Sequence, residues 1–202
     1  MGTHKLILEL APGKALGAFA LRAMLACREL AEVVAVVRPE DDLAWAAPAL
    51  THKARAKLRF AVCADADRGM AHSLRRGLAE ALAGRPDAVL VALADQPFVT
   101  AELLGELAAA FGRDRSLDYV ACRRGGSAHP PVLLGAAMFP AVERLEGDAG
   151  ARKLFAEASW NGKLVDVPSD RVFADADTPD DLRALRRMTG AASQREEAGY
   201  SL

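Results

Sequence analysis

Cysteine is scarce and badly spaced for cross-linking. The 202 residues hold only Cys27, Cys63 and Cys122, an odd set without a C-x-x-C pair, which argues against a disulfide framework and against a structural zinc site. They read as buried thiols of a reducing cytosol. Aromatic residues make up 5% of the chain, too few to build the stacking platforms that hold single-stranded nucleic acid. Neither sign of charge dominates: 26 basic residues face 27 acidic ones, a formal net charge of -1, so no general positive field draws nucleic acid or an anionic membrane. Met1 to Lys5 lack the apolar run of a signal peptide, and nowhere do roughly 18 apolar residues follow one another without a break. The expectation is a cytoplasmic protein with neither nucleic-acid nor membrane partners. The G-x-S-x-G, H-E-x-x-H and P-loop patterns are absent as well, which disfavours an α/β hydrolase, a zinc protease and a Walker-type NTPase.

What is present is the composition of an ordinary globular protein, 51% apolar and 26% charged, with enough chain for a single large core. No repeat and no Pro/Ser linker divides it. Leu16, Phe19, Ala20, Ala23, Cys27 and Leu30 recur at helical spacing and lead into the β-branched run Val33 to Val37. A second strand is expected near Phe60 to Cys63, then a helix with Met70, Leu74, Leu78 and Ala81 on one face. Ala88 to Leu93 is apolar at every position, which a strand tolerates when helices cover both its faces. Thr100 caps a helix carrying Leu104, Leu107 and Phe111, and strands are expected at 118–122 and 131–134. Beyond these come helices over 136–145 and 149–158, strands over 163–167 and 171–174, and a last helix capped by Thr178 with Pro179 in its first turn. This rhythm predicts one doubly wound, mostly parallel α/β domain of Rossmann-like type over 1–188, with a loose polar tail over 189–202. Ligands are then expected at the carboxyl ends of the strands.

Asp95 closes the most buried strand and falls on that rim. It has a structural reading of equal weight, because Asp-x-Pro commonly opens a turn. Asp175 and Asp177 lie two apart, so in an extended segment both carboxylates face one pocket. Magnesium binds through one or two carboxylates together with substrate phosphates, and carboxylates from distant strand ends suit it. Arg123 and Arg124, ahead of two glycines, read either as an anion site or as a solvated basic turn. His129 has no second His or Cys at ligand spacing, so it reads as a structural histidine beside Pro130.

Six segments taken together resemble the MobA-like nucleotidyltransferases, nearest the molybdenum cofactor cytidylyltransferase branch. They are Met1 to Leu8, Arg68 to Leu74, Leu93 to Pro97, His129 to Leu133, Gly147 to Arg152 and Asp175 to Leu182, in that order along residues 1 to 187. The resemblance implies a magnesium-dependent enzyme in which the phosphate of molybdopterin attacks the α-phosphate of an NTP, CTP in preference to GTP, and pyrophosphate leaves. It further implies Asp95 and Asp177 as metal ligands, with Asp95 and Lys5 catalytic. Lys5 would also meet the triphosphate, and Gly69, Met70 and Ser73 would lie near the base and ribose. Asp148 and Arg152 would contact the pterin or its phosphate. Their spacing equally suits a capped intrahelical ion pair. A molybdoenzyme or its maturation factor is an implied partner. Two other readings stand beside this one: a non-catalytic relative that binds cofactor or such a partner, and a nucleotidyltransferase acting on another phosphate or sugar phosphate.

The family pattern opens with a strand and a glycine-rich phosphate loop, L-A-A-G-x-x-x-R, ahead of the Met-Gly-x-x-Lys at which this sequence starts. A start placed too far downstream or a truncated gene would give such an opening. The resemblance puts that strand in the middle of the sheet. Read locally, Lys5 to Leu10 is a strand, Ala11 to Lys14 a turn and Leu16 the beginning of its helix, a unit that does not replace the loop's backbone donors.

Overall fold

The computed structural model describes residues 5–148, 150, 154–155 and 159–199, with side chains through residue 190. Its strands are β1 (Glu9–Ala11), β2 (Lys14–Ala15), β3 (Val33–Val37), β4 (Leu58–Val62), β5 (Ala88–Val91), β6 (Tyr119–Arg124), β7 (Ser127–Gly135) and β8 (Gly162–Asp166). Its α-helices are α1 (Leu16–Ala26), α2 (His52–Lys57), α3 (Met70–Ala81), α4 (Ala101–Arg113), α5 (Phe139–Glu143) and α6 (Pro179–Gly199). β5, β7, β6 and β8 form a sheet in that order, with β7 antiparallel to both its neighbours and β6 parallel to β8. β3 and β4 pair in parallel as a second sheet, and β1 and β2 make a short antiparallel hairpin.

The unbroken apolar run of β5 is explained by what lies on its two faces. Leu90 packs with Leu103, Leu104 and Leu107 of α4 and with Ala23 and Met24 of α1. Val89 and Val91 face the other way, toward Ala71, Leu74 and Leu78 of α3 and Val142 of α5. Helices therefore cover both sides, as the doubly wound α/β reading requires. α1 and α3 also reach the smaller sheet: Leu21 and Met24 pack with Val33 and Val37, and Gly77 lets α3 come close to Val36. No hydrogen-bonded pairing joins β3 to β5 among the described residues, so the sheet is interrupted where the resemblance expects a central strand.

Three local expectations are corrected. Lys5 to Leu10 is not one strand: Lys5–Ile7 is a 3₁₀ turn, and the chain then folds into the β1–β2 hairpin. Gly13, at φ +67°, makes the reversal, and its N–H donates to Glu9 Oε1 at 2.8 Å, so this turn has given that donor to a carboxylate. The strand expected at 171–174 is a 3₁₀ turn, Asp170–Phe173, because Ser169 accepts from the Arg171 N–H and so favours a turn over extension. Of the tail expected over 189–202, residues 189–199 continue α6, whose Ala, Gln, Arg and Glu are strong helix formers, and 200–202 lie outside the described residues. Most of the helix expected over 149–158 also lies outside the described residues. The sequence reading had no counterpart for the turn Ala44–Ala49, which buries Trp45 beneath α1.

Candidate active site

β5, β6 and β8 point the same way, so their carboxyl ends share one rim, and two acidic segments meet there. Past β5 the chain turns as the Gln96 N–H donates to Leu93 O at 3.3 Å, leaving the Asp95 carboxylate 13% exposed. The second segment follows β8 and the 3₁₀ turn. Ala176 is wholly buried in a cluster with Leu10, Leu16, Leu182 and Leu185, and this anchor holds Asp175 and Asp177 on either side of it. Immediately after it α6 is capped reciprocally. Thr178 donates through its N–H and its hydroxyl to Asp181 Oδ2, each at 2.7 Å, and its Oγ1 accepts from the Asp181 N–H at 3.2 Å. Asp181 is thus fully explained by the helix start.

Lys5 joins the two segments. Its Nζ donates to Asp95 Oδ2 at 2.5 Å and to Asp177 Oδ1 at 3.0 Å. Burial pulls the Lys5 ammonium toward neutrality, but the hydrogen bonds and charges of the two carboxylates outweigh it, and its pKa stands above the ordinary lysine value. Asp175 feels the same field with the opposite result: burial, then the charges of Asp177 and Asp95, push its carboxyl up against the smaller pull of Lys5. Two carboxylates from residues 82 positions apart thus converge on one cation, here an ammonium. Among the described residues no three His, Cys, Asp or Glu groups come together as a complete metal cage. A pair of carboxylates, with the remaining positions left to phosphate and water, is the donor set magnesium prefers.

A second convergence lies at the start of α3. Gly69 has φ +124°, and a Cβ there would sit 2.4 Å from the Gly147 carbonyl, so only glycine allows the two backbones to touch. The Ala71 N–H donates to Gly147 O at 3.0 Å, and Arg75 Nη1 donates to Leu145 O at the same distance. Gly69 is in this way brought against the Gly147–Asp148 segment, with Met70 and Ser73 following it on α3. Met70 is exposed with its Sδ toward Gly150, Ser73 is half-buried one turn into the helix, and Asp148 is exposed. Arg152 lies outside the described residues. The expectation for Lys5 was a catalytic role and contact with the triphosphate, with no carboxylate partner. Its hold on both carboxylates carries no sequence signal, because a lysine's reach is not written in its spacing. Phe173, two residues before Asp175, is buried. The Arg124 guanidinium lies over its ring, 5.3 Å from the centroid.

The family's profile, described as the MobA-like NTP transferase domain, matches residues 1–164. The chain belongs to the MobA-like NTP transferase family. The matched stretch contains Lys5, Gly69, Met70, Ser73, Asp95 and Asp148, while Asp177 lies beyond it. This MobA-like chain is 30% identical over 190 residues to the purine catabolism protein PucB of Bacillus subtilis, covering 93% of this chain and 90% of that one. Among solved structures it resembles the molybdopterin-guanine dinucleotide biosynthesis protein A of Archaeoglobus fulgidus, with a TM-score of 0.64 at 20% identity over 94% and 92% of the two chains. It also resembles Rv0371c of Mycobacterium tuberculosis in complex with manganese, with a TM-score of 0.63 at 22% identity over 91% of each. Both structures share its fold. No helix among the described residues is long and apolar enough to cross a membrane.

Proposed function

We propose that this MobA-like chain transfers CMP from CTP to the phosphate of a molybdopterin-type cofactor and releases pyrophosphate. The observation that carries the reading is the convergence of Asp95 Oδ2 and Asp177 Oδ1 on one cation. Those two oxygens are the groups that would hold magnesium, and a divalent ion is in keeping with the manganese complex of the neighbouring Rv0371c. When bound, the metal would neutralise charge on the triphosphate and the departing pyrophosphate. Lys5, already beside both carboxylates, is placed to turn its ammonium onto a phosphate oxygen. Gly69, Met70 and Ser73 would receive the base and ribose, and Asp148 would border the pterin. An oxygen of the acceptor phosphate attacks the α-phosphorus of CTP, the new P–O–P link forms, and the bond to the β-phosphate breaks. Residues 1–188 would act as one catalytic unit in the cytoplasm, passing the product to a molybdoenzyme or its maturation factor.

The test is pyrophosphate release from Mg-CTP with molybdopterin, run beside Mg-GTP and beside an Asp95→Asn variant. CTP should be preferred. Asp95→Asn should keep its circular dichroism and lose on the order of a hundredfold or more in rate, the usual cost of removing one electrostatic element of such a site. A variant that binds Mg-CTP and turns it over like the parent would defeat the assignment of Asp95. Equal or better use of GTP would defeat the assignment of the base.

A further inference from the structure

At the functional rim β6 runs on past the end of β5, as one arm of its hairpin with β7. Ala121 is level with Val132 and, through it, with Val91 at the end of β5, yet β6 runs on to Arg124 before turning at Gly125 and Gly126. Its last two residues are arginines in different surroundings. Arg123 Nε is tied to Asp166 at 2.8 Å. Arg124 has no carboxylate partner among the described residues, and its guanidinium lies over Phe173, with the ring of His129 meeting the same phenyl edge-on at 5.7 Å between centroids. Phe173 is 3% exposed, anchored with Cys122 and Val172, and stands two residues before Asp175.

We propose that Arg124 is the binding group for the phosphomonoester end of the acceptor, an inference that rests on the CMP-transfer reading above. A guanidinium laid on an aromatic face keeps its N–H edge turned outward, and that planar edge matches two phosphate oxygens. Phe173 pre-sets this orientation, so the arginine loses less freedom when an anion arrives. The position answers a need of the reaction. The acceptor is an anion that must approach a second anion beside three carboxylates, and an unneutralised cation at the rim offsets that repulsion. From Phe173 to Asp175 is two residues, roughly 7 Å of extended chain. Arg123, the preceding residue of β6, is already paired.

Three variants separate the proposal from its background: Arg124→Gln, Arg124→Lys and, as control, Arg123→Gln. With molybdopterin as acceptor, Arg124→Gln should raise the acceptor KM about tenfold or more while the KM for CTP stays within about twofold. Arg124→Lys, which keeps the charge and loses the fork, should fall between parent and Gln, and Arg123→Gln should behave as the parent. A second readout does not depend on turnover: inorganic phosphate titrated into protein with nitrogen-15 arginine should shift the Arg124 Nε–H signal and leave Arg123 in place. An unchanged acceptor KM in Arg124→Gln, or an Arg124 signal indifferent to phosphate, overturns the proposal. A parent that transfers no CMP but whose Arg124 answers to phosphate refutes the CMP-transfer reading and leaves the anion site standing.

Discussion

At the residue scale the informative side chain is Lys5. Its ammonium keeps Asp95 and Asp177 together by standing where their charges would otherwise repel each other. It also competes with any divalent ion for the same oxygens. Lys5→Met should therefore bind manganese several-fold more tightly than the parent without nucleotide, while binding of Mg-CTP weakens for want of the phosphate contact. Calorimetric titration of both variants with and without CTP checks the pair of effects, and equal manganese affinities would count against the competition. The fold should lose about 1 kcal/mol or less, because a third of the Lys5 side chain is exposed and solvent screens the pair. The sign with pH follows from the raised pKa: the contribution is complete below the ordinary lysine value of 10.5 and is lost as pH climbs past the raised one. Asp95 was legible in the sequence because a buried strand must surface somewhere and a carboxylate marks the place. Asp177 was legible from its alternation with Asp175. The link between them was not, since it depends on how far a flexible side chain from residue 5 can reach.

At the scale of elements, the joint between α3 and the Gly147–Asp148 segment depends on one glycine. A methyl at position 69 would meet the Gly147 carbonyl and would also have to adopt a positive φ. Gly69→Ala should then cost roughly 1–3 kcal/mol and push the two segments apart, with CTP affinity falling more than the melting temperature alone explains. Urea unfolding and a CTP titration on the same preparation would separate the two losses; a variant with parental affinity would show that the nucleotide does not use this joint. The elements themselves were legible where periodicity is long. α3 and α4 carry apolar faces over three turns or more, and Thr100 accepts from the Leu103 N–H as its cap position predicts. Short pieces were not. The β1–β2 hairpin and the Asp170–Phe173 turn follow from single hydrogen bonds made by Glu9 and Ser169, which outweigh three or four residues of β propensity.

At the scale of the molecule, the β-structure comes in unequal parts. The sheet built on β6 and β7 has Val120, Ala121, Cys122, Val132, Leu133 and Leu134 all buried, whereas β3–β4 is two strands wide and leaves Val62 half exposed. Amides of β3 and β4 should exchange with deuterium before those of β6 and β7, and by at least about tenfold under native conditions. Exchange at one common rate would mean that α1 and α3 bind the two sheets into a single cooperative unit. The alternation of helix and strand made the class of fold readable, because each apolar run could be matched to covering helices. The interruption between β3 and β5 was foreseen only through the family pattern, since composition and periodicity describe what a strand is and not which neighbour it finds. The distance along the chain between the partners has a further consequence, for synthesis. Lys5 and Asp177 are 172 residues apart, and Arg186 of α6 closes onto the Glu9 carbonyl. A chain leaving the ribosome from its amino end displays Asp95 without its companion for some 80 residues more. The nascent polypeptide can have no assembled cation pocket until α6 has emerged and folded back over β1, so metal and nucleotide meet a finished scaffold.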